Sequence, residues 1–158
     1  MMHNWFTCKI RYEKVMENGM QKKVTEPYLV DALSFTEAEA RIIEEMTPFI
    51  SGEFTVSDIK RANYSELFPS DEESADRWFK CKLIFITLDE KSGTEKKTST
   101  QVLVQAADLR DAVKKLDEGM KGTMADYQIG MVSETPLMDV YPYSAEPNDK
   151  PEFDPSKA

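Results

Sequence analysis

The first stretch of the chain alternates between apolar and polar positions. Phe6, Cys8, Ile10 and Tyr12 share one parity, and Trp5, Thr7, Lys9 and Arg11 share the other. Successive side chains of a strand point to opposite faces, so this predicts a strand with one face turned to a core. Asn18-Gly19 supplies turn residues in a loop longer than two residues, and Tyr28-Leu29-Val30-Asp31-Ala32 predicts the returning strand. Phe35, Ala38, Ile42 and Met46 then recur at spacings of three, four and four, which gathers them on one side of a helix. Ser34 with Glu37 forms a capping box at its start. A final strand region carries Phe54, Val56 and Leu67 and stops at Pro69.

The whole pattern returns. Trp5-Phe6-Thr7-Cys8-Lys9-Ile10 reappears as Trp78-Phe79-Lys80-Cys81-Lys82-Leu83, an offset of 73. Gly19 and Lys22-Lys23 match Gly93 and Lys96-Lys97 at an offset of 74, and the helical set maps onto Leu109, Ala112, Leu116 and Met120. Asp108 and Asp111 occupy the places of Ser34 and Glu37. Beyond the helix the offset is again 73, pairing Phe54 with Tyr127, Leu67 with Val140 and Pro69 with Pro142. One residue gained at the second hairpin and one lost after its helix explain both shifts. Periodicity, capping and turn residues repeat together, which identifies a tandem duplication of a β-β-α-β unit.

The expected architecture is α+β with pseudo-twofold symmetry, the helices packed on antiparallel sheet or sheets. Residues 1–69 form the first repeat, 70–76 an acidic connector, 77–142 the second repeat and 143–158 a disordered acidic tail. The connector, Ser70-Asp71-Glu72-Glu73-Ser74-Ala75-Asp76, begins with Ser-x-x-Glu and predicts a short capped helix. A unit of this size buries little by itself and gains from packing against its twin.

Composition narrows the class. At 158 residues with 41% hydrophobic and 31% charged side chains, the chain suits one compact domain or two small halves. Neither a membrane-length apolar run nor a leader-like N-terminus is present, so a cytoplasmic protein is expected. Cys8 and Cys81 fall within the apolar alternation and read as core residues. The net charge of -9 weighs against coating duplex DNA by charge alone but leaves room for local basic patches.

Catalytic chemistry finds few footholds. His3 is the only histidine, the cysteines lack Cys-x-x-Cys spacing, and no phosphate-cradling or nucleophile-elbow motif occurs. The carboxylates of the two helices read as caps and solvated faces. No catalytic residue, cofactor or metal is therefore expected, and the chain is read as a non-enzyme.

Binding chemistry has one candidate surface, the parity of the first strands turned away from the core. It carries Trp5, Lys9 and Arg11 in one repeat and Trp78, Lys80 and Lys82 in the other, with Lys22-Lys23 and Lys96-Lys97 on the adjoining strands. Aromatic rings among cations suit single-stranded nucleic acid, with bases stacked on the rings and lysines along the phosphates. On this expectation Trp5→Ala with Trp78→Ala abolishes binding while the fold survives. Single-strand binding is the leading reading; the alternative is a protein–protein adaptor or small oligomer using the same faces or the acidic helices. An enzyme is a distant third.

The two Trp-Phe-x-Cys-Lys segments and Pro27-Tyr28-Leu29-Val30-Asp31-Ala32-Leu33-Ser34-Phe35-Thr36-Glu37-Ala38-Glu39-Ala40 carry a resemblance. From residue 4 to about 142 the chain resembles an uncharacterised domain family of short proteins from Bacteroides-type bacteria and their phages or mobile elements. The resemblance implies no activity, cofactor or site residue; its setting points, by association, to nucleic-acid metabolism, which makes the leading reading an accessory factor in phage or mobile-element DNA metabolism.

Overall fold

The computed structural model describes residues 4–142, and both His3 and the tail expected over 143–158 lie outside them. The elements run β1 (Trp5–Val15), β2 (Gln21–Asp31), α1 (Phe35–Met46), β3 (Phe54–Ala62) and β4 (Glu66–Phe68). They continue as β5 (Arg77–Leu88), β6 (Glu95–Ala106), α2 (Leu109–Gly119), β7 (Asp126–Glu134) and β8 (Asp139–Tyr141). The fold is α+β, with two helices and two sheets of four strands each.

One sheet has the order β3-β1-β2-β8 and the other β4-β6-β5-β7. Both are mixed, because β8 pairs parallel with β2 and β4 parallel with β6. This corrects the expectation of antiparallel sheets. The stretch after each helix breaks into two strands, and the short second one joins the sheet built on the other hairpin. The two compact units do not follow chain order: one takes the chain through Arg61 and resumes at Asp139, the other runs from Ala62 to Met138.

In the first unit α1 covers the Phe6 face of its sheet. Phe6, Cys8, Ile10, Val30, Ala32, Ala38, Ile42 and Met46 form the buried cluster. The second unit repeats this with Phe79, Cys81, Leu83, Val102, Val104, Ala106, Ala112 and Leu116. The helical spacing places Ala38, Ile42 and Met46 inward, whereas Phe35 and Leu109, in the first turns, remain about half exposed. Phe35 meets the Phe6 ring edge-on at 4.9 Å, and the Arg61 guanidinium lies over both rings. Burial pushes the Cys8 thiol up to about 12, reinforced by Glu39, and the Cys81 thiol to about 11. Both are free thiols acting as small hydrophobes.

The helix starts follow the sequence closely. Ser34 Oγ accepts from Glu37 N at 3.1 Å, and Asp108 Oδ1 accepts from Asp111 N at 2.8 Å. The acid at the third helical position reaches back to the residue before the cap: Leu33 N donates to Glu37 and Ala107 N to Asp111. Each cap satisfies donors the helix cannot, a contribution of roughly 1 kcal/mol. The hairpins differ by one loop residue, as the offsets require. Met16 and Met20 bracket three residues ending at Gly19 (φ 81°), whereas Asp89 and Thr94 bracket four ending at Gly93 (φ 70°).

The connector is not helical. Glu72 N donates to Ser70 Oγ at 3.1 Å and Ala75 N to Glu72 O at 3.0 Å, which makes a turn. The Ser-x-x-Glu pattern is overridden because Ser70 and Glu72 have longer-range partners. Lys115 of α2 donates to Ser70 Oγ at 3.0 Å and pairs with Glu72 at 2.5 Å and Asp111 at 3.0 Å. The hydrogen bonds from Ala107 and Lys115 hold Asp111 below the usual carboxylate range. Burial works to lower the Lys115 pKa, but its bonds to Glu72 and Asp111 outweigh it and the net shift is upward. The Asp111 contribution to stability is therefore complete above the ordinary value of 3.8 and lost as pH falls through its lowered folded value. That of Lys115 is complete below 10.5 and lost above it. Urea midpoints of wild type and Asp111→Asn should differ by a constant amount at neutral pH and converge below 3.8. A gap that persists in acid would contradict the clamp.

Gly119, at the end of α2, leaves room for Phe68: a Cβ there would stand 2.9 Å from the ring. Gly119→Ala should thus cost about 1–3 kcal/mol in chemical denaturation, despite the better helix propensity of alanine.

Candidate functional site

The structure divides the ten residues singled out as candidates. Trp5 and Trp78 are 3% and 5% exposed. They do lie on the strand face opposite the helix, beside the buried Leu29 and Leu103, but that face is covered there. Stacking on bases requires an open ring, so neither tryptophan is a platform. Alternation assigns a side chain to a face but does not say whether protein covers that face. Thr135 N and Oγ1 both donate to Trp78 O, at 2.8 and 2.9 Å, which anchors the backbone of that strand as well.

The cations fare differently. Lys9, Arg11 and Lys23 are exposed on one face of the β1–β2 ribbon, with Glu13 directly opposite Lys23. Lys22 is exposed on the other face, paired across the strands with Lys14. In the second hairpin Lys80 and Lys82 are half-buried, while Lys96 and Lys97 are exposed on opposite faces. Adjacent residues of a strand diverge, so each lysine pair divides between two faces instead of forming one patch.

Lys14 was not among the sequence candidates, and neither was the carboxylate that offsets its like-charge contact with Lys22. Glu26 accepts from Tyr12 Oη at 2.8 Å and Tyr28 Oη at 3.4 Å and pairs with Lys14 at 3.6 Å. Burial, then the bond to Glu26, pushes the Tyr12 phenol up to about 12. The signal available in the sequence was parity: Glu26 alternates in step with Tyr28 and Val30, which sets an acid on the core side of the ribbon. Both phenols and Lys14 thus converge on the one Glu26 carboxylate, beside the core of the first unit.

Beyond this cluster both hairpins become two-sided solvated ribbons. Residues 13–23 are all exposed, as are residues 87–99. Large apolar side chains stand on them: Val15 is 64% exposed, Met20 67% and Leu88 65%. At the base of the first ribbon an open cleft of about 540 Å³ is walled by Arg11, Lys23, Glu13 and Glu53 among others, a lining of both signs. Charge is segregated along the chain. Residues 9–25 hold five basic and two acidic side chains, and residues 80–97 five and three, in a protein of net charge -9. Among the described residues no cluster of three or more His, Cys, Asp or Glu side chains could hold a metal, and no helix is long and apolar enough to cross a membrane.

Fold and surface together define an α+β protein of two helix-backed mixed sheets, each extended by a solvated hairpin. The chain belongs to the family described as Domain of unknown function (DUF4494), which matches residues 4–143. It matches no curated protein and no solved structure.

Proposed function

We propose that this is a non-catalytic binding protein of the cytoplasm, an adaptor that engages another protein through its two hairpin ribbons. The observation that carries this reading is the solvation of both ribbons on both faces, with Val15, Met20 and Leu88 held in water. A two-stranded ribbon without a core face gains little from burial, so its order and its exposed apolar side chains are explained by a contact made elsewhere. The tandem duplication and pseudo-twofold arrangement read from the sequence belong to the proposal. Two equivalent ribbons give two attachment points, and bivalence raises avidity without new contacts.

Single-stranded nucleic acid is the second reading. It is favoured by the basic excess of both hairpin segments and by the phage or mobile-element setting that the sequence resemblance implies. Without the tryptophans it rests on phosphate contacts alone.

The triple variant Val15→Ser, Met20→Ser, Leu88→Ser separates the two. Capture of a specific protein partner from native cells should fall tenfold or more, with the circular dichroism spectrum and melting temperature retained. Oligonucleotide binding that weakens with salt, disappears in Lys9→Glu with Lys23→Glu and is indifferent to the triple variant would instead establish the second reading. A chain with no partner and no oligonucleotide affinity at low salt refutes both.

A further inference from the structure

Two short segments complete the sheets, and they share a chemistry. Glu66-Leu67-Phe68-Pro69 and Asp139-Val140-Tyr141-Pro142 each read acid, aliphatic, aromatic, proline. In the second unit Leu67 lies opposite Leu103, Phe68 packs on the core beside Gly119, and Ser70 just beyond receives Lys115 Nζ. In the first unit Val140 lies opposite Leu29 and Tyr141 stacks on Tyr28 at 6.2 Å, while Arg41 donates to Pro142 O at 3.2 Å and to Asp31 O. A helical cation thus meets the residues that close each segment. Proline ends the strand in both, because it cannot donate to the ladder.

We infer that the outer edges of β2 and β6 are strand-acceptor slots for an extended acid–aliphatic–aromatic–proline segment, and that a protein presenting such a segment docks there by displacing the built-in strand. Both slots pair through only three residues, in parallel register, so the occupant is held mainly by one aliphatic and one aromatic side chain. Main-chain pairing supplies affinity and the alternate side chains supply the selectivity, which is how an added strand is recognised. The occupant's chemistry is read from the two segments the chain itself places there. The inference does not depend on the hairpin ribbons.

The test uses the full chain with its own strand disabled, Val140→Ser with Tyr141→Ser, and a peptide of residues 137–142 as the probe. The variant's melting temperature should rise saturably, by roughly 3–6 °C at tenfold excess over the dissociation constant. A peptide of residues 65–70 should serve the same slot, and a permuted peptide should not. Wild type should bind the first peptide at least tenfold more weakly, because its tethered strand competes at high effective concentration. If the double variant has no cooperative melt, Tyr141→Ser alone is used in the same titration. Equal response to the permuted peptide, no response, or no detectable binding to wild type at millimolar peptide overturns the inference.

Discussion

Trp5→Ala and Trp78→Ala should each lower the unfolding free energy by about 3–5 kcal/mol, as expected when a large buried aromatic leaves a cavity. Both rings are almost wholly inaccessible, and both lie outside the two helix-covered clusters. That loss is a large share of the stability of an ordinary domain. The double variant should therefore be largely unfolded at 25 °C, and it cannot separate binding from folding in the way an exposed platform would allow. Urea titration followed by far-UV circular dichroism decides the point. A loss below about 1 kcal/mol for either single variant would show that its ring is not structural.

A chain ending at Met138 should lose stability in the unit formed by the other end of the sequence. It lacks β8, and with it the 7%-exposed Val140, the Tyr141 stack on Tyr28 and the Arg41 bond to Pro142. Burial of Val140 alone accounts for roughly 1.5–3 kcal/mol, and the ladder and ring contacts add to it, so a total of about 2–4 kcal/mol is expected. Hydrogen exchange locates the effect: amides of β2 and α1 should lose protection, and those of β6 and α2 should lose less. The reciprocal change, Leu67→Ser with Phe68→Ser, should reverse the pattern. Equal loss in both units from either change would mean that the short strands are not local components of their sheets.

Much of this architecture was legible in the residues because local rules suffice for it. Strand parity placed Phe6, Cys8 and Ile10 inward, helical spacing placed Ala38 and Ile42 over them, and Ser34 and Asp108 announced their helices. Loop residues fixed the hairpins, down to the extra residue before Thr94. Each depends on neighbours a few positions apart, which is the range over which backbone geometry transmits information.

What the tertiary structure alone decided was which surfaces are covered and which strands meet. Trp5 and Lys9 share a parity, yet one is buried and the other solvated, because covering depends on atoms remote in sequence. Leu67 and Val140 were matched to each other as equivalents, but equivalence does not identify a partner. Each short strand finds its sheet through a parallel pairing with residues far away, Leu67 with Leu103 and Val140 with Leu29. Parallel pairing leaves no hairpin turn in the sequence to reveal it, since the connection must cross over instead of folding back.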